Sequence, residues 1–138
     1  MQIRSLTMAP LEIPFRQAFT HAAATRATTE TVLVRAESAR GLVGMGEGCP
    51  RRYVTGETVA GALGFFCRYR AEWLRLITVD DLRAWVAGHA DEIDPNAAAW
   101  CAVELACLDL LGKEALQPIE VVLDGSPPSG SFQYSGVL

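Results

Sequence analysis

The chain has 138 residues, a length suited to one domain. Its 12 Lys and Arg against 16 Asp and Glu leave a net charge of −4, which argues against nucleic acid as the main partner, because phosphate binding needs a basic face. Half of the residues are hydrophobic and a fifth are charged, which excludes a disordered chain, and no apolar run reaches the roughly 18 residues of a membrane span.

The elements follow in chain order. Ile3 to Ile13 alternates loosely and ends at Pro14, which cannot donate to a ladder. Phe15 to Ala27 reads as a long connection. Thr28 to Glu37 contains the β-branched run Thr31-Val32-Leu33-Val34 of a half-buried strand. Ser38 to Gly41 is a turn, and Leu42 to Glu47 returns as a third strand whose Gly44 and Gly46 point to close backbone approach or a bulge. Thr58 to Leu76 has helical spacing at Val59, Leu63, Phe66, Tyr69, Trp73 and Leu76. Thr78 to Asp81 has the pattern of a capping box opening a helix to His89. Asp94-Pro95 predicts an N-cap for a third helix that runs to about Leu111 and stops at Gly112. A short turn covers Ile119 to Leu123. Gly125 to Gly130 is linker-like, and Phe132 to Leu138 opens a strand. The expected fold is therefore α+β: a three-stranded antiparallel meander followed by three to four helices on one face.

Mean hydropathy is +0.18, high for a small domain, whose large surface ordinarily demands more polar residues. Some apolar surface is therefore expected to serve a partner. The start, Met1 to Arg4, lacks the apolar stretch of a signal peptide, so a cytoplasmic location is expected. Cys49, Cys67, Cys101 and Cys107 have no metal-site spacing and are expected as reduced thiols, mostly packed as small apolar groups. Lys113 is the sole lysine, hence the single candidate for a lysine base. Trp73, Trp85 and Trp100 are expected as core or interface anchors. Glu104 and Asp109, five apart on the third helix, are expected to be structural.

Ile13 to Phe19, the G-x-x-G-x-G-E of Gly41 to Glu47, Thr55-Gly56-Glu57-Thr58, and Glu104 to Lys113 with its Asp109-Leu110-Leu111-Gly112-Lys113 ending follow one another along the chain. In this order they resemble the N-terminal capping domain of the enolase superfamily, in its mandelate racemase and muconate-lactonising, dipeptide-epimerase-like branch. Pro118 to Gly125 follows the same pattern, with Asp124 where a Gly is usual, and Tyr134 to Val137 resembles the start of the family's barrel. The resemblance implies a capping domain over residues 1–125, then a linker and the first strand of a truncated (β/α) barrel over 126–138. It implies an isomerase (racemase, epimerase or cycloisomerase) that takes a proton from the carbon next to a carboxylate, with Mg²⁺ and a Lys or His base stabilising and forming the enediolate. The family carries those catalytic groups on the barrel, so the chain alone is expected to be inactive. Its implied partners are a small carboxylate-bearing substrate and a barrel domain, in cis or as a separate chain, in a homo-oligomer when complete. A stand-alone binding or assembly module is the alternative.

Two loops are expected to contact substrate by this resemblance. The first holds Phe19, Thr20, His21 and Arg26. Arg26 either pairs with a distal carboxylate through its fork of donors or is a solvated loop arginine. His21 either donates to substrate or bonds within the loop. The second loop, Glu47 to Gly56, holds Cys49 and Tyr53. Cys49 as a nucleophile would need His21 as its base and has no third orienting group, so a pocket-lining role is preferred. Tyr53 suits the closure of an apolar pocket. Arg51 and Arg52 are expected to be exposed, and Glu47 to accept from loop amides.

Overall fold

The structure, a computed structural model, describes residues 2–21 and 24–126. It is α+β. Strands β1 (Ile3–Leu11), β4 (Thr31–Ser38) and β5 (Val43–Gly48) form an antiparallel sheet in the order β1-β4-β5, and β2 (Pro14–His21) pairs with β3 (Ala24–Thr28) as a separate hairpin. Five helices follow: α1 (Val59–Trp73), α2 (Val79–Gly88), the single turn α3 (Ala90–Ile93), α4 (Ala97–Ala115) and the short α5 (Ile119–Val122). The expected meander is present, but the connection read between its first two strands is the β2–β3 hairpin. The expected strand and linker over 127–138 lie outside the described residues.

The sheet buries one face because β4 alternates. Val32, Val34 and Ala36 are fully buried, while Arg35 is exposed. In register beside them stand Gly48, Gly46 and Gly44 of β5. Over those glycines lie Ala98, Ala102 and Ala106, one helical turn apart on α4. A Cβ on Gly46 would sit 2.1 Å from the Ala102 carbonyl oxygen and 2.6 Å from the Ala106 nitrogen. Backbone meets backbone here, so the glycines serve close approach.

Trp73, fully buried, stands among rings from three helices: Phe65 at 5.5 Å, Trp85 at 5.4 Å and Trp100 at 5.9 Å between centroids. All three tryptophans are core anchors.

The helix ends follow local chemistry with two corrections. Thr58 Oγ1 caps α1 by accepting from the Gly61 N–H at 3.0 Å. Thr78 and Asp81 form the expected capping box, and the Ile77 and Thr78 N–H groups hold the Asp81 carboxyl below its ordinary value. Asp94-Pro95, expected as the third helix's cap, instead forms a 3₁₀ turn through Asn96, and Asn96 supplies no side-chain cap to α4. The helix also passes Gly112 and ends at Ala115. Gly112 is buried inside it, where a Cβ would meet the Gln117 carbonyl oxygen at 2.9 Å.

Leu116 then takes φ 55°, the left-handed position after a helix that favours glycine, with 91% of its surface exposed. Leu116→Gly removes backbone strain and gives up almost no packing. It is expected to stabilise the chain by about 1 kcal/mol, read as a higher urea midpoint with an unchanged m value. Asp124, where the resemblance expects Gly, also has a left-handed φ of 66°, and its carboxylate receives Arg83 at 3.2 Å.

Candidate functional site

The six sequence candidates fall on two segments. Phe19, Thr20, His21 and Arg26 belong to the hairpin, where Phe19 pairs with Arg26, Thr20 with Thr25 and His21 with Ala24. The Thr20 and Thr25 hydroxyls bond across the strands at 3.2 Å. None of the hairpin side chains whose burial is described is buried. Such a two-stranded arm is marginal by itself, so its placement rests on its base. There the Thr29 N–H donates to the Ile13 carbonyl at 2.9 Å. Thr29 Oγ1 accepts from the Ile13 N–H at 2.9 Å and donates to the Leu11 carbonyl at 3.1 Å.

Arg26 is partly buried. Its guanidinium carbon lies 5.8 Å from the centre of the Phe15 ring, within cation–π range. Its Nη2 is shielded from solvent and has no hydrogen-bond partner among the described residues. A buried donor left unpaired costs about 1–3 kcal/mol, so this guanidinium holds unused capacity for an acceptor.

The second segment leaves β5 at Gly48. Cys49 and Tyr53 are both exposed, Tyr53 by 41%. The Cys49 thiol points to Glu47 Oε1 at 4.0 Å, so Glu47 takes a thiol there, not the loop amides expected of it. Arg51 is half-buried, against expectation, and its Nη1 donates to the Glu30 carbonyl at 3.0 Å, at the hairpin's base. Glu57 closes the loop. Its Oε1 accepts from the Ala98 N–H at 2.7 Å, the bond that α4's own Asn96 does not make, and its Oε2 accepts from the Thr55 hydroxyl at 2.8 Å. A cleft of about 320 Å³ lies between hairpin base and loop, lined by Glu12, Glu30, Pro50, Arg52 and Glu57.

Sequence reasoning missed the roles of Arg51 and Glu57. Glu57 was visible only as part of a motif, and its partner lies 41 positions away.

The remaining reactive groups are committed elsewhere. Lys113 Nζ donates to the Val43 carbonyl at 2.8 Å and to Asp109 Oδ2 at 2.7 Å, and that same oxygen accepts from the Met45 N–H at 2.9 Å. The Asp–Lys pair thus satisfies backbone groups on the free edge of β5, which is why both residues stand one turn apart on α4. Burial pushes the Cys107 thiol up to about 12, so it is no nucleophile near neutrality. Burial also raises Cys101 and the Glu104 carboxyl. Of the four cysteines only Cys107 is buried, so the expectation that most pack as small apolar groups is corrected; all four are free thiols. Among the described residues, no group of three His, Cys, Asp or Glu side chains is placed to hold a metal ion. No helix among them is long and apolar enough to cross a membrane.

The sheet and the helical layer are those of a known domain. Residues 3–123 match the family described as the mandelate racemase / muconate lactonizing enzyme, N-terminal domain, and the chain belongs to it. A hydrophobic dipeptide epimerase of Enterococcus faecalis is 31% identical over 128 residues, covering 91% of this chain and 35% of that protein. An aromatic dipeptide epimerase of Herpetosiphon aurantiacus is 30% identical over 126 residues, covering 89% and 34%. The crystal structure of a dipeptide epimerase from Enterococcus faecalis, complexed with Mg and the dipeptide L-Leu-L-Tyr, superposes with a TM-score of 0.68 at 29% identity, covering 89% of this chain and 34% of that one. The chain spans about a third of the length of these relatives.

Proposed function

We propose that this chain is the substrate-facing lid of a longer isomerase that removes a proton next to a carboxylate, with a dipeptide as substrate. The observation that carries the reading is the match of nearly the whole chain to about a third of two dipeptide epimerases. In this reading residues 1–125 form the lid, and 126–138 lead into a barrel whose mouth it covers. The chemistry belongs to the barrel. Lys113, the one lysine, is bonded to the β5 edge and to Asp109. We place the ion's ligands outside this chain, and the chain alone is inactive.

What the lid supplies is recognition and exclusion of water. Phe19, Thr20, His21 and Arg26 on the hairpin, with Cys49 and Tyr53 on the second loop, face the substrate. Arg26 is the cation for a substrate carboxylate, and its unpaired Nη2 supports that role. Tyr53 and Val54, 41% and 69% exposed, offer apolar surface to a hydrophobic side chain. Arg26→Ala in the longer protein is expected to lower kcat/KM for L-Leu-L-Tyr by roughly 10- to 100-fold, mostly through KM, as loss of a charged hydrogen bond does. Unchanged KM and kcat/KM would remove Arg26 from the site.

A further inference from the structure

We infer that Arg51 is the positioning residue that fixes the hairpin relative to the second loop. A line of hydrogen bonds runs from the hairpin base to the helix on the sheet. Arg51 Nη1 donates to Glu30 O at 3.0 Å, immediately after the hairpin. The Val54 and Thr55 N–H groups fold back onto the Arg51 carbonyl, each at 2.9 Å. Thr55 donates its hydroxyl proton to Glu57, and Glu57 accepts from Ala98 at the start of α4. α4 in turn lies backbone to backbone on β5, so the far end of this line is rigid.

The near end is not rigid by packing, because none of the hairpin side chains whose burial is described is buried. Among the described residues, Thr29 bonds the hairpin's two ends to each other and to β1. Arg51 ties it to the other candidate loop, and does so with a charged donor, which makes the stronger class of hydrogen bond. The two loops therefore move as one body when Arg51 is in place. The consequence for substrate rests on the lid reading, but the brace itself can be tested without activity.

The test is amide hydrogen exchange on the 138-residue chain. In Arg51→Met, which keeps much of the stem and loses the donor, protection of hairpin amides within 15–28 is expected to fall about tenfold. Amides of α4 should keep their rates. Arg51→Lys retains a donor for the Glu30 carbonyl and is expected to restore hairpin protection to within about threefold of the parent. Hairpin rates unchanged in Arg51→Met would overturn the inference. So would an equal loss across α4, which would mark a general loss of stability. The lid reading is tested by Arg26→Ala turnover instead, so each can fail alone.

Discussion

Gly46→Ala is expected to destabilise the chain by about 3 kcal/mol or more, among the largest effects of adding a single methyl group. The new Cβ would stand 2.1 Å from the Ala102 carbonyl oxygen, 2.6 Å from the Ala106 nitrogen and 2.9 Å from the Leu105 Cβ. The two closest obstacles are helix backbone, which cannot rotate aside as a flexible side chain does. Relief requires α4 to lift from β5. That lift would open contacts at Gly44 and Gly48 and stretch the bonds from Asp109 and Lys113 to the strand edge. Gly64→Ala on α1 is the control. A Cβ there meets nothing within 4 Å, so helix propensity alone decides, and the change should stabilise by up to about 1 kcal/mol. Urea unfolding of the two variants reads both signs in one experiment.

Trp73→Ala is expected to cost about 4 kcal/mol. The indole is fully buried, and its contacts join α1, α2 and α4, so its loss leaves a cavity that three helices must share. Trp73→Phe should cost far less, about 1–2 kcal/mol. The smaller ring still fills part of the site, and the substitution deletes Nε1, a buried donor with no partner among the described residues. Both variants delete Nε1, so a Phe variant as damaging as the Ala variant would contradict the cavity as the source of the loss. Thermal unfolding followed by circular dichroism separates the two.

Much of this fold was legible in sequence because its signals are local. The β-branched run Thr31 to Val34, the helical spacing from Val59 to Trp73 and the Thr78–Asp81 capping box each involve residues within a few positions, and each appears in the structure as β4, α1 and the start of α2. The hairpin was hidden for a physical reason. None of its side chains whose burial is described is buried, so no apolar alternation marks its strands, and Pro14 reads as a terminator although it begins β2. α4 runs past the expected stop at Gly112 because that glycine lets the chain after the helix fold back closely, with Gln117 O against it, while Leu116 takes the left-handed position at the end. The start of α4 was misjudged because its N–H at Ala98 is capped by Glu57, from the far side of α1 and α2.

The candidate site was less legible than the fold. Arg26, Cys49 and Tyr53 were singled out through family resemblance, since no spacing rule brings a hairpin and a loop to one end of a domain. Even so, the Asp109–Lys113 pair shows what the motif at the end of α4 does locally: it closes a strand edge. Lys113, the lone lysine, is bonded to that edge and to Asp109.

In the proposed reading this chain recognises substrate while another part of a longer protein carries out the chemistry. Solvent deuterium entering the α-carbon of L-Leu-L-Tyr, followed by proton NMR in D₂O with Mg²⁺, tests it most directly. Exchange is expected at one α-position with the longer protein, and none above the buffer rate with the 138-residue chain alone. Exchange catalysed by the chain alone would overturn the lid reading.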